Sequence, residues 1–250
     1  MKIEAVTVCC HYSDFLAHTI VHNKPLFDRL VVVTHPADRR TRDLCEHYRV
    51  ECVATEAMHA NEKCFDKGAA ITEGLARLDG DQWIAHLDAD IVLPARTRGI
   101  LERAELDPRT IYGIDRLMCP SFEAWAKYLA HPEVQHSCEV FVQANAFPLG
   151  VRIAKVEAEG YVPIGFFQLW HAGATGIRTY PGHGAVDRSD MSFALQWPRG
   201  RRALVPEIVA IHLATDDGRE MGANWRGRTT PPFGPVPSAP PPAPRDGYAR

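Results

Sequence analysis

The chain has 250 residues, 46% hydrophobic and 24% charged, with a formal net charge of −3. This is the composition of an ordinary soluble globular domain with a sizeable core, without a global basic field for nucleic acid or an anionic membrane, though a local patch would suffice. No apolar run approaches the about 18 residues of a membrane span, and Met1-Lys2-Ile3-Glu4-Ala5 is too polar to open a signal peptide.

In chain order, residues 3–9 alternate and are β-branched, predicting a first strand. Residues 11–23 predict a helix, with Ser13 as N-cap and Phe15, Leu16, Ile20 and Val21 at helical spacing. Residues 30–34 form a continuous apolar run, the pattern of a strand buried on both faces. A helix is expected over 38–48, a third strand over 50–54 and a long helix over 61–78. Gly80-Asp81 then turns the chain into a strand, Trp83-Ile84-Ala85-His86-Leu87, from which Asp88 and Asp90 emerge. Strands alternating with helices at this spacing predict a parallel sheet covered on both faces, whose ligands bind outside the carboxyl ends of the strands. The second half is less regular: strands are expected over 110–114, 140–147 and 208–213, and helices over 122–129 and 187–196. An aromatic-rich segment covers 163–170. Seven cysteines without a Cys-x-x-Cys pair argue against a zinc ribbon and for reduced thiols in a cytoplasm.

Asp88 and Asp90 are two residues apart, which places both on one side of an extended chain. Two carboxylates held together repel unless a cation sits between them or one stays protonated. A divalent metal with oxygen ligands is the simplest cation, and such a metal often brings a phosphate. The alternative is that both acids only cap the following turn.

Three βα steps, then Phe65-Asp66-Lys67-Gly68-Ala69-Ala70, then Asp88-Ala89-Asp90 ending the fourth strand, followed downstream by Ser189-Asp190-Met191-Ser192-Phe193, Ile211-His212-Leu213 and Trp225-Arg226-Gly227-Arg228, resemble the GT-A fold of sugar-nucleotide-dependent glycosyltransferases. The likeness is to the family 2-like, short single-domain members of bacteria and phages, with Asp88-Ala89-Asp90 as the DxD motif. It covers roughly residues 1–228.

The resemblance implies a Rossmann-like, mostly parallel α/β sheet. Residues 1–94 would form the nucleotide-sugar half, 95–213 the acceptor half and 214–229 a closing loop. It implies a UDP-sugar donor and Mn²⁺ or Mg²⁺, with Asp90 and His212 as direct ligands. Asp88 would be shared between a metal-bound water and the donor; for His212 the alternative is a histidine that merely ends a strand. Asp190 would be the general base of an inverting transfer, worth about 10²–10⁴ in rate. The family's usual Glu-Asp is Ser189-Asp190 here, so Asp187 competes for the role. The nucleotide base would lie against Cys10, His11, Tyr12 and Thr34, with His35 nearby. Asp14 and Asp38 are the only acids near enough to read a uracil or ribose. Lys67 would reach base or phosphate. Arg226 and Arg228 would close over the diphosphate, as guanidinium forks match phosphate geometry. Gly165-Phe166-Phe167-Gln168-Leu169-Trp170-His171 would form the acceptor floor, with two of its three rings in the core.

The acceptor stays open among a glycan, a lipid head group, a protein and a hydroxymethylated base of phage-type DNA. The cluster Arg199-Gly200-Arg201-Arg202 is a solvated turn or, for a nucleic-acid acceptor, a phosphate contact. Residues 230–250 are Pro-rich and predict a disordered or polyproline tail. Asp88-Ala89-Asp90-Ile91-Val92 also fits a haloacid dehalogenase-type phosphatase, but that motif follows the first strand of its domain, whereas three strands precede it here. A non-catalytic sugar-nucleotide-binding module is the other alternative.

Overall fold

A computed structural model describes residues 1–60, 65–130, 156–158, 160–182, 186–215 and 230–235. The first half is built as β1 (Ile3–Val8), α1 (Ser13–Asn23), β2 (Arg29–Thr34), α2 (Arg39–Tyr48), β3 (Glu51–Ala54), α3 (Lys67–Leu75), β4 (Trp83–Leu87) and β5 (Ile91–Val92). Then follow α4 (Thr97–Arg103), β6 (Ile111–Cys119), α5 (Phe122–Leu129), a short hairpin of β7 (Val156–Glu157) and β8 (Gly160–Tyr161), and β9 (Phe167–His171). The last elements are α6 (Ala172–Thr175), α7 (Val186–Ala194) and β10 (Arg202–Leu213). Eight strands form one sheet in the order β3-β2-β1-β4-β9-β6-β10-β5. Pairing is parallel from β3 to β4 and again between β6 and β10, while β9 runs antiparallel to both of its neighbours and β5 antiparallel to β10.

Alternation along the strands divides the core between the two faces of the sheet. Ala5 and Val32 pack on one side with Leu16 and Ile20 of α1 and Leu44 of α2. Val6, Val31 and Val33 pack on the other with Ile71 and Leu75 of α3 and Phe193 of α7. Helix α3 reaches this depth through small residues. A Cβ at Gly74 would lie 2.3 Å from Val6 Cγ2, and one at Gly68 would lie 2.0 Å from the Pro181 carbonyl oxygen.

Several elements differ from their predicted bounds. Tyr12, not Ser13, occupies the N-cap of α1, and no side chain caps it. The helix expected over 61–78 runs only over Lys67–Leu75, because the Asp66 carboxylate accepts from the Ala69 amide and sets its start; residues 61–64 lie outside the described residues. The strand expected over 140–147 also lies outside them. β6 and β10 are longer than their apolar stretches, and β10 passes Pro206 through a register shift between Val205 and Val209. An edge or irregular position is where a strand tolerates a residue without an amide hydrogen. β9 gives no alternating pattern because both its faces are covered, so its residues read only as an aromatic cluster.

The start of the Pro-rich segment departs from the expected disorder. Phe233 is 1% exposed and stacks on Phe15 at 4.7 Å, with Phe122 and His18 edge-on at 5.6 Å each. Its amide donates to Asp14 at 2.6 Å. Gly234 follows at φ +76, where a Cβ would strike the Phe122 ring. Proline runs resist helix and sheet, but one aromatic ring suffices to dock such a segment. Among the described residues no helix is long and apolar enough to cross a membrane.

Two substitutions test this packing by urea denaturation. Phe233→Ala is expected to destabilise by about 3–5 kcal/mol; no loss would mean the ring does not hold the segment down. Gly68→Ala should cost about 1–3 kcal/mol through overpacking against Pro181, whereas an unchanged midpoint would show that the close approach is not real.

Candidate active site

The candidate site forms at the carboxyl end of β4. β4 stops at Leu87 and β5 begins at Ile91, so Asp88-Ala89-Asp90 is a turn, closed by the Ile91 amide donating to the Asp88 carbonyl at 3.3 Å. The expected strand alternation is therefore not what places the two carboxylates. Three elements hold the turn instead. The Asp88 amide donates to the Phe166 carbonyl at 3.1 Å, Thr19 Oγ1 donates to the Ala89 carbonyl at 2.7 Å, and the Leu213 amide donates to the Asp90 carbonyl at 2.9 Å. β10 pairs with β5 with His212 opposite Ile91, which brings the imidazole against Asp90.

Each acid has its own partner. Lys67 Nζ, at the first turn of α3, forms an ion pair with Asp88 Oδ1. The lysine side chain is 15% exposed, so it is not the solvated residue that a helical lysine usually is. His212 Nε2 lies 3.1 Å from Asp90 Oδ2. Neither His212 ring nitrogen has a hydrogen bond of acceptable geometry, so this contact is proximity without an aligned N–H. Burial opposes ionisation of both carboxyls and holds Asp88 above the usual range despite Lys67; His212 and Lys67 overcome it at Asp90 and hold that carboxyl below the range. Asp90 is the stronger acid of the pair.

Among the described residues, no three His, Cys, Asp or Glu side chains gather closely enough to hold a metal by themselves. Asp90 and His212 nevertheless suit a partly open site. Two ligands at right angles around a cation at about 2.1 Å lie about 3 Å apart, close to their observed 3.1 Å separation. Asp90 Oδ1 is also buried without a partner. An imidazole beside a carboxylate suits Mn²⁺ better than the harder Mg²⁺, and ligand oxygens or water would complete the shell.

Asp190 lies inside α7, so it is not an N-cap. Its Oδ2 accepts from the Gly165 amide at 2.7 Å and its Oδ1 from the Met191 amide at 2.8 Å. A Cβ at Gly165 would lie 2.6 Å from the Asp190 Cβ, so a side chain there would displace the acid. Beneath it lies a buried polar layer. Gln168 donates to the carbonyls of Pro163 at 2.8 Å and Asp190 at 3.0 Å, and accepts from the Tyr180 hydroxyl at 2.6 Å. His86, paired with Gln168 across β4 and β9, sits 5.5 Å from the Tyr180 ring. Burial, aided by the Lys67 charge, pushes the His86 imidazole well below its usual range and keeps it neutral. Asp187 is also on α7, but its side chain lies outside the described residues, as do Arg226 and Arg228 and the loop expected to close.

The residues expected around a nucleotide base divide into framework and surface. Thr34 is fully buried; its hydroxyl donates to Asp38 and its carbonyl accepts from Thr55. Asp38 also accepts from the His11 amide at 2.6 Å, the Thr41 amide at 3.2 Å and the Thr41 hydroxyl at 2.7 Å. Asp14 receives the Phe233 amide. Both acids that were candidates to read a base are therefore occupied. Cys10 is buried, its thiol pushed up to about 11 by desolvation and Asp38. His11 is exposed at φ 61, and the Tyr12 hydroxyl meets Thr230 at 3.3 Å. His59, which carries no motif, faces His35 at 5.2 Å between ring centres and Cys10 Sγ at 4.0 Å.

The structure adds Arg116, on β6, which no sequence pattern marked. Its guanidinium lies 4.4 Å from the centre of the Phe166 ring. Phe167 and Trp170 of the expected acceptor floor are core residues, and Phe166 is 3% exposed under this arginine. The only pattern-level hint was a pair of charged residues, Asp115-Arg116, inside an otherwise apolar strand. The acid pair follows the fourth strand of the sheet, not the first, as the phosphatase alternative requires.

No model of a known protein family matches the chain, and no curated protein does. Solved structures do. Glucosyl-3-phosphoglycerate synthase from Mycobacterium tuberculosis, in complex with Mn²⁺, UDP-glucose and phosphoglyceric acid, is 14% identical, with 84% of this chain and 71% of that chain covered at a TM-score of 0.50. The same enzyme with Mn²⁺, uridine diphosphate and phosphoglyceric acid is again 14% identical, covering 84% and 70% at 0.49. A structure described as a mycobacterial protein is 16% identical, covering 92% and 68% at 0.46. At such identities the likeness is one of architecture, and the expected mixed α/β GT-A fold is the fold of this chain.

Proposed function

We propose that the protein is a metal-dependent glycosyltransferase that moves a sugar from a UDP-sugar to an acceptor hydroxyl with inversion. The observation that carries this reading is the meeting, at one end of β4, of the Asp90–His212 pair with an acid held inside α7. The 0.50-scoring solved neighbour holds Mn²⁺, UDP-glucose and phosphoglyceric acid in a chain of the same fold. On this reading Asp90 and His212 hold the cation, which when bound neutralises the donor diphosphate and its developing charge.

The other roles belong to the chain's own groups. Lys67 fixes Asp88 beside the turn, so that its free oxygen faces the donor or a water. Asp190 accepts the proton of the acceptor hydroxyl. The Gly165 and Met191 amides each occupy one lone pair of its carboxylate, orient it, and leave the remaining lone pairs for that proton. Gln168 fixes the backbone at the same residue from below. Asp187 remains the alternative base, and Arg226 and Arg228 the proposed diphosphate contacts.

Thermal denaturation with nucleoside diphosphates, with and without Mn²⁺, tests the donor side. Uridine diphosphate with Mn²⁺ should stabilise by about 2.7 kcal/mol at a hundredfold excess over Kd, and uridine diphosphate alone by much less. Absence of metal-dependent stabilisation by any nucleoside diphosphate would sink the reading. Asp190→Asn should lower transfer, read by mass spectrometry of candidate acceptors, by about 10²–10⁴ with uridine diphosphate affinity within about twofold. Retained turnover would move the base to Asp187.

A further inference from the structure

Arg116 is 7% exposed, and its Nε is buried without a hydrogen-bond partner. Among the described residues its guanidinium makes no ion pair within the 4.0 Å that defines one for the other arginines. Its guanidinium sits over the face of Phe166. A buried guanidinium is expected to be paired, since it keeps its charge at any ordinary pH and its desolvation is costly. Arg116 instead faces several carboxylates at longer range: Asp88, Asp90, Asp115 and Asp190 all act on its charge. The Asp115 side chain is turned to the Arg116 backbone amide, at 2.8 Å.

The strand register gives its place. Arg116 pairs with Ala210 and Met118 with His212, in parallel strands. Arg116 therefore lies on the same face of the sheet as His212, about 7 Å back along the strand. Phe166, on which it stacks, is the neighbour of Gly165, whose amide holds Asp190. The arginine thus opens onto the cleft these acids share, with Asp88 and Asp90 acting on its charge more strongly than Asp190, and an acceptor that brings its proton to Asp190 enters the same cleft. An acceptor carrying a negative group there meets three carboxylates, Asp88, Asp90 and Asp190. It needs a cation that none of them has already taken. Lys67 is committed to Asp88. A guanidinium held over a ring still presents a fork that matches a carboxylate or a phosphate.

Resting on the glycosyltransferase reading, we propose that Arg116 is an acceptor-specificity residue that binds the anionic group of a small acceptor, a hydroxy acid or phosphorylated polyol, while its hydroxyl reaches Asp190. Its depth disfavours a polymer backbone, which would have to carry its phosphate to a side chain 7% exposed.

Titration calorimetry of the full chain saturated with uridine diphosphate and Mn²⁺ tests the proposal, using glycerate, glycerol 3-phosphate and neutral glycerol as probes. The wild type should bind at least one of the two anions at least tenfold more tightly than glycerol. Arg116→Gln should lose that preference at least tenfold, with uridine diphosphate affinity within about twofold. Arg116→Lys should recover part of it, and Phe166→Leu, which removes the ring support, should weaken it less than Arg116→Gln. Equal binding of anions and glycerol by the wild type overturns the proposal, as does full anion binding by Arg116→Gln. If Arg116→Gln instead loses uridine diphosphate affinity tenfold, the guanidinium serves the donor and the proposal falls. Should Arg116→Gln not fold, the Arg116→Lys and Phe166→Leu titrations decide. If no nucleoside diphosphate binds the wild type, the glycosyltransferase reading fails on its own. The same anion titrations on nucleotide-free protein then still decide what Arg116 does.

Discussion

Three hydrogen bonds to the backbone of the turn Asp88-Ala89-Asp90 are the constraint on which the cleft depends. They come from the segment leading into β9, from Thr19 of α1, and from the end of β10. Each bond fixes one residue of the turn, so the two carboxylates leave in different directions toward different partners. The same bond from Leu213 that fixes Asp90 also delivers His212. A contact between residues more than a hundred positions apart is thus secured by sheet pairing and does not rely on the two side chains finding one another.

Charge in the cleft is divided unevenly as a result. Asp88 is compensated by Lys67, and Asp90 stands next to an imidazole that makes no aligned hydrogen bond to it. Asp190 is held by two amides, and Arg116, which makes no ion pair among the described residues, lies over an aromatic face. Buried groups of this kind are costly to leave unmatched. Their clustering at one sheet end is more economically explained by ligands carrying cationic and anionic groups than by folding, since an apolar core would be more stable without them.

Beneath that cleft, Gln168, Tyr180 and His86 form a layer that faces inward from β4, β9 and the segment before α7. Gln168 joins the backbone of the helix carrying Asp190 to the loop before β9, so the acid is set by the sheet beneath it. At the carboxyl ends of β1 and β2, the same end of the sheet as the acid turn, Asp38 gathers four donors from the first loop, β2 and α2. Asp38 and Asp14 therefore serve architecture there, which on the proposed reading leaves the exposed His11 and the half-buried His35–His59 pair to face a base.

The sequence by itself determined the βα order of the first half and the place of the acid pair at the end of the fourth strand. Local signals carry those features: continuous apolar runs, β-branched residues, and Asp38 at a helix start. It also singled out Asp190 and His212, although only through likeness to a known pattern. Tertiary structure decided the rest. That Asp88-Ala89-Asp90 is a turn and not strand follows from partners on α1, β9 and β10, none of them local. That β9 is a strand follows from burial on both faces, which erases alternation. That Phe233 leaves the proline-rich tail for the core depends on a pocket made by α1 and α5. And Arg116 becomes a candidate only when β6 is aligned with β10, because an adjacent acid and base in an apolar strand have no meaning until the register shows what each faces.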